Sequence, residues 1–235
     1  MKLRGSYGWT GNNNIPEYQY LSTITLNASY QNIVAGRFSR LSNPLLHWET
    51  AKMAAVGVDL AFIDRVDMSI DLYNTDNTGL LLSVPVAPCT GFFEVMKNAG
   101  SVRNQGIEYR IDAEAIKMKG VTWNIGFNIG FNKNRVTDLP YHTPFLQKYD
   151  GTTQIVKEGQ DIYTFYLKPW AGVDPMNGDP LWYVVDENEN YVLDEHGNKT
   201  KTNDINATHA KICGKATPLF SGGLNTRLSW NGIYL

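Results

Sequence analysis

The sequence contains no run of eighteen or more consecutive apolar residues. A bilayer-spanning helix needs about 20, so the sequence holds no transmembrane helix. Membrane β-barrels are not excluded, because their hydropathy signal per strand is weak. Charge is sparse and nearly balanced, with 21 Lys and Arg against 23 Asp and Glu. That removes the electrostatic case for a nucleic-acid partner. There are two cysteines, Cys89 and Cys213, without metal-type spacing. They are free thiols, or one disulfide joining two long loops in an oxidising compartment. His47, His142, His196 and His209 also lack ligand spacing and read as surface or loop residues. No nucleophile elbow, phosphate-binding glycine loop or HExxH occurs. We expect no enzyme, no metal and no cofactor. A charged-then-apolar leader is missing too. Met1–Tyr7 already alternates like a strand, and Ile233-Tyr234-Leu235 reads as the start of another. Both ends look cut, so the chain is expected to be part of something longer.

Glycine and aromatic residues are abundant instead, with 21 Gly, 13 Tyr, 9 Phe and 6 Trp, which favours β-structure. The clearest stretch is Val121–Val136. Trp123, Ile125, Phe127, Ile129 and Phe131 alternate with Asn124, Gly126, Asn128, Gly130 and Asn132. Strand side chains point to alternate faces, so one face is large and apolar and the other short and uncharged. A transmembrane β-strand has this form over about 9–11 residues.

Other segments repeat it. Strands are expected at about Lys2–Trp9, Trp48–Phe62, Val66–Tyr73, Ile107–Glu114 and Phe220–Trp230, with a seventh from Ile233. In the fourth, Ile107, Tyr109, Ile111 and Ala113 alternate with Glu108, Arg110, Asp112 and Glu114. Lys52 falls on the apolar parity of the second, which fits only if it lies above a membrane. The connections run long, short, long, short: long at about 10–45, 74–99 and 137–215, short at Asp64, Lys119 and Asn231-Gly232. Up-and-down strands then gather every long loop at one end. Outer-membrane barrels show this asymmetry, and a soluble sandwich has no physical reason to keep it. Trp9 and Trp48 fall near the long-loop end and Trp123 and Trp230 near the short-turn end, as two interfacial girdles would. The expected fold is all-β: an incomplete antiparallel up-and-down transmembrane barrel of about seven strands.

The longest connection carries the candidate ligand residues. Trp170, Trp182 and Tyr183 lie close in sequence to Asp174, Asn177 and Asp179. Flat rings stack on sugars and the acceptors bind hydroxyls; the alternative is that the rings pack a small core of the loop. A hairpin is expected at about Leu181–Leu193. Asp186-Glu187-Asn188-Glu189-Asn190 spaces oxygens like a calcium loop, but Tyr191 stands where the turn needs Gly and Gly197 where it needs Glu. A solvated acidic hairpin tip fits better. The alternating carboxylates from Glu108 to Glu114 are what a polar lumen supplies rather than a glycosidase pair.

Several segments resemble the SusC/RagA-type TonB-dependent outer-membrane transporters of Bacteroidetes. They are Asn43-Pro44-Leu45-Leu46-His47-Trp48-Glu49-Thr50, Asp71-Leu72-Tyr73-Asn74 with Gly79-Leu80-Leu81-Leu82, and Asn98-Ala99-Gly100-Ser101-Val102-Arg103-Asn104-Gln105-Gly106-Ile107-Glu108. Phe127–Val136, Gly172–Trp182, and Gly214-Lys215-Ala216-Thr217-Pro218 with Gly222-Gly223 also match. The resemblance implies a central-to-late part of a barrel of about 22 strands, occupying residues 1–235, without the plug domain, TonB box or final strands. It further implies import of a glycan or peptide through the bacterial outer membrane, powered by the TonB complex, with a SusD-like lipoprotein lidding the barrel. The rival expectation is a secreted soluble β-rich module that binds carbohydrate.

Overall fold

The computed structural model describes residues 1–30, 33–149 and 152–234. Leu235, expected in the last strand, lies outside the described residues. The chain divides into two compact units, one made of Met1–His142 with Leu219–Leu235 and the other of Thr143–Pro218.

The first unit is built on one antiparallel sheet of seven strands. These are β1 (Lys2–Asn12), β2 (Glu49–Phe62), β3 (Val66–Thr78), β4 (Ser101–Met118), β5 (Val121–Asp138), β6 (Ser221–Trp230) and β7 (Ile233–Tyr234). Each pairs with the next in sequence, and among the described residues β1 does not pair with β6 or β7. The sheet is open, as expected of a partial barrel. The short turns have the backbone that tight hairpins demand. Asn231 and Gly232 have φ of 46° and 89°, matching the positive φ at both central residues of a type I′ turn.

Several strands run further than hydropathy suggests. β4 extends to Ser101 and β3 to Thr78, although alternation of apolar and polar residues fades after Ile107 and Tyr73. The backbone ladder continues without interruption from Leu72↔Ile107 to Asn77↔Val102. Only the character of the outward side chains changes, from apolar to polar.

The long connections are not bare loops. Residues in the first form a hairpin of Thr23–Tyr30 with Ile33–Arg40, and those in the second a hairpin of Leu81–Pro85 with Glu94–Asn98. Val84 faces Val95 and Val102 faces Val136 in register at the long-loop end, and all four are buried, as is Leu139.

The second unit has its own two sheets. Phe145–Tyr149, Thr152–Val156, Thr164–Leu167 and Lys211–Lys215 form one; Trp170–Val173, Pro180–Tyr183 and Lys201–Thr202 form the other. Its buried residues include Ile155, Val156, Thr164 and Val185. The hairpin expected near Leu181–Leu193 is present around a bridge from Val185 to Tyr191, and a second follows around Leu193–Lys199.

Candidate functional site: a polar sheet face and a loop aromatic cluster

Directly paired residues of neighbouring strands share a face. The register therefore sorts the sheet into rows. One row reads Leu3, Val58, Ile70, Tyr109, Ile129; another reads Leu60, Met68, Ile111, Phe127, Leu224. The opposite face carries Arg4, Gly57, Asp71, Glu108, Gly130 and, in the next row, Lys2, Asp59, Ser69, Arg110, Asn128. The two faces are as the alternation of Val121–Val136 predicts.

The apolar face has a measurable height. From Val121 to Phe131 every outward position of β5 is apolar, which is ten residue steps. At about 3.3 Å per residue and a tilt of about 40°, that is about 25 Å across the membrane, the height of an outer-membrane barrel's lipid band. At the short-turn end Trp123 donates its indole N–H to Thr226 Oγ1 at 2.7 Å, so its polar edge is satisfied on the sheet itself.

The polar face is organised by ion pairs and by glycines that make room for them. Arg4 Nε and Nη2 donate to the two carboxylate oxygens of Asp59 at 2.8 and 2.9 Å, and Nη2 also reaches Asp71 at 3.0 Å. A Cβ at Gly57 would lie 2.3 Å from Asp71 Oδ1 and 2.9 Å from Arg4 Nη2. Glycine there is the condition for the Arg4–Asp59–Asp71 network. Gly126 does the same for Asn225 and Asp112. Gly106 lets the Tyr73 ring lie flat across the strand, where its hydroxyl donates to Asn132 Oδ1 at 3.1 Å. The face holds a shallow depression of about 580 Å³ lined by Asp71, Glu108, Arg110, Asn128 and Ser221.

The segments that suggested a family have definite structural tasks. Asn43 Nδ2 donates to the Met96 carbonyl at 2.8 Å. Asn98 accepts from His47 N–H at 2.8 Å and donates to the carbonyls of His47 and Gly79 at 2.6 and 3.0 Å. Glu49 accepts from Leu81 N–H and from Asn12 Nδ2, both at 2.8 Å. Together these bonds clasp the long-loop ends of β1, β2 and the Leu81–Asn98 hairpin. In the second unit, buried Asp161 accepts from Thr217 Oγ1 at 2.9 Å and Tyr163 N–H at 3.0 Å, with Lys215 Nζ at 3.5 Å. Asp161 is not apparent from the sequence because its side-chain partners, Lys215 and Thr217, lie more than fifty positions away.

The sequence-selected ligand residues separate into three places. Trp170 and Trp182 are paired in register and meet edge to face, with ring centres 5.8 Å apart. Tyr183, the next residue on its strand, points the other way and meets Tyr191 edge to face at 5.8 Å. Lys199 and Lys211 each stand 3.9 Å from the Tyr191 ring centre. Burial pushes the Tyr191 hydroxyl pKa up from its ordinary value. Asp174, Asn177 and Asp179 form the turn between the two strands and bind one another. Asp174 Oδ1 accepts from Met176 N–H, and Asn177 Oδ1 from Asp179 N–H, both at 2.9 Å. Asn177 Nδ2 donates to Asp179 Oδ2 at 2.9 Å.

Asp186 Oδ1 accepts from the N–H groups of Asn188 and Asn190 at 2.9 and 2.8 Å, as a hairpin tip does. Asp194 repeats this with His196 and Asn198 at 2.9 and 2.8 Å. Both cysteines are free thiols, which removes the disulfide alternative. Cys213 donates to the Leu167 carbonyl at 3.3 Å, and burial raises its pKa.

Residues 1–208 match the family described as TonB dependent receptor-like, beta-barrel. The chain belongs to that family. A relative named TonB-dependent receptor P3, from Formosa agariphila, is 30% identical over 99% of this chain and 24% of its own length. TonB-dependent receptor SusC from Bacteroides thetaiotaomicron is 30% identical over 85% of this chain and 21% of its own. Among solved structures, the RagAB peptide transporter superposes with a TM-score of 0.82 at 28% identity, covering 99% of this chain and 25% of that one. The chain thus spans about a quarter of the length of these relatives. Its open, all-antiparallel sheet is a TonB-dependent receptor barrel in part.

Proposed function

We propose that this chain supplies barrel wall to an outer-membrane receptor of a Gram-negative bacterium, one that imports a nutrient with TonB-derived energy. The observation that carries the reading is the two-faced sheet. Val56, Leu72 and Leu224, on the apolar face, are 58%, 53% and 73% exposed. A contiguous apolar face of this extent needs lipid, since soluble monomers rarely expose more than a few hundred Å² in one patch. The same observation disfavours a soluble carbohydrate-binding module. The whole receptor acts as importer rather than enzyme and works with a SusD-like lipoprotein over the long-loop end. Its cargo is a glycan or a peptide; a RagAB relative is described as a peptide importer, and SusC is the other named relative.

Residues about 10–45, 74–99 and 137–215 then face the outside, and the short turns at Asp64, Lys119 and Asn231 face the periplasm. Cargo contacts come from the long-loop end and the polar face. Trp170, half exposed, offers a ring for stacking; Trp182 braces it, and the Asp174, Asn177 and Asp179 turn presents oxygen acceptors beside it. Tyr183 supports the strand from the opposite side. The test uses the whole receptor. Deleting it should abolish growth on one class of glycan or peptide, and changing both Trp170 and Trp182 to Ala should weaken cargo binding at least fivefold while barrel assembly is retained. Unchanged affinity in a correctly inserted double variant would assign the rings to loop packing alone.

A further inference from the structure

We infer that the outward face of the sheet carries a binding site for a phosphate-bearing lipid headgroup, just above the apolar band at the long-loop end. The inference rests on the membrane reading above. Immediately past Phe131 the outward positions of β5 become Lys133 and Arg135. In register, Lys133 faces Gln105, and Arg135 faces Arg103. Arg103 faces Asp76, Asp76 faces Lys52, and Lys52 faces Trp9. One end of the lipid face is therefore bordered by four cations and one acid within two adjacent rows.

That acid is already committed. Asp76 takes the Arg103 guanidinium on one oxygen and the Asn74 amide at 3.0 Å on the other. Lys52, Lys133 and Arg135 are exposed, and none forms an ion pair among the described residues. Like charges directly opposite each other on paired strands repel. Asp76 offsets that repulsion at Arg103, while Arg135 beside it has no ion-pair partner among the described residues.

Depth identifies the anion. The cations begin with Lys133, one row above an apolar band of about 25 Å and level with Tyr7; the next row sets Lys52, Arg103 and Arg135 level with Trp9, whose ring packs edge to face on Tyr7 at 4.8 Å. Indoles settle at headgroup level, which is where lipid phosphates lie. Arginine forks grip phosphate oxygens bidentately, while lysine adds point charge. A lipid offers its acyl chain to Val56, Leu72, Ile107 and Phe131 directly below, and a free phosphate has no counterpart to that contact. Lys52, which breaks the alternation of β2, has its place in this site.

The experiment takes the whole receptor containing this chain into nanodiscs of phosphatidylcholine doped with phosphatidic acid. Retained lipid is counted by native mass spectrometry. Changing Lys52, Lys133 and Arg135 together to Gln should lower retained phosphatidic acid at least fivefold. Arg227→Gln, on the opposite face, should leave it unchanged, and millimolar inorganic pyrophosphate should not displace it. Equal retention by the triple variant, with normal insertion, overturns this inference alone. Full displacement by pyrophosphate overturns the lipid source and assigns the site to soluble phosphate. A receptor that never enters the nanodisc brings down the membrane reading and this inference with it.

Discussion

The seven-stranded sheet and the unit of residues 143–218 solve the burial problem in opposite directions. In the sheet the large apolar side chains lie outward: Leu224 is 73% exposed and Leu3 68%. In the other unit Val185 is 1% exposed and Ile155 7%, and polar turns line the surface. Alternation along the chain occurs in both. What differs is the solvent on the apolar side, lipid for one and protein for the other. A strand pattern fixes which side chains share a face. The charge and height of the other face then say what that face meets.

Arginine substitution separates the two cases most sharply. Val185→Arg should unfold the second unit in detergent and bilayer alike, because burying an unpaired charge exceeds the about 4 kcal/mol of ordinary core damage. Phe127→Arg should cost about 2–4 kcal/mol in a bilayer, the penalty for a cation near the midplane of a barrel's lipid face. Moving the arginine one residue, to Asn128, should cost far less, since that side chain faces the polar side. Denaturant unfolding of the whole receptor in vesicles, followed by the gel shift of folded barrels, reads all three. Equal losses at Phe127 and Asn128 would break the assignment of faces.

Within the sheet, the polar face is closely packed around Gly106, and that can be tested without adding charge. A Cβ at Gly106 would lie 2.4 Å from the Tyr73 ring and 2.6 Å from the Phe131 carbonyl. Gly106→Ala should therefore destabilise by about 1–3 kcal/mol, the usual cost of overpacking. Adding Tyr73→Ala should recover part of that loss, because the ring is one of the two obstacles. A double variant no better than the single one would place the whole cost on the backbone contact with Phe131.

Much of the sheet was legible in the sequence because hydropathy and hydrogen bonding agree there. Val121–Asp138 follows the alternation of residues 121–136 almost to its end. They part company at Ser101–Gly106 and Asn74–Thr78, where the strands leave the apolar band and lose their outward apolar residues while the ladder runs on. Long-range polar partners were not legible. Nothing local announces that Arg4 will meet Asp59 and Asp71, or that Asn98 will hold His47. Those contacts depend on register between strands distant in sequence. The chosen ligand residues were half legible for a related reason. Trp170 and Trp182 do meet, but strand parity sends Tyr183 to the other face. The Asp174–Asp179 turn was read as a set of acceptors, whereas its side chains first satisfy the turn's own N–H groups.

The smallest effect concerns a hairpin tip in the second unit. Asp194 is held ionised below the usual carboxylate range, chiefly by the backbone N–H of Asn198, with further help from that residue's side chain and from His196 N–H. The folded pKa is depressed, so the stabilisation is fully present above the unfolded value of about 3.9. It disappears as pH falls through the folded pKa. The carboxylate is fully exposed, so the effect should be confined to the hairpin and leave the stability of the whole receptor unchanged. Amide hydrogen exchange at Asn198 should stay slow at neutral pH and accelerate relative to Thr200, which bonds Val192 through backbone alone, as the pH drops below about 4. Asp194→Asn keeps an oxygen acceptor without the charge, so the tip should lose this pH dependence while the hairpin persists. Acceleration at Asn198 that survives in the Asn variant would show that the acid lability comes from elsewhere in the unit.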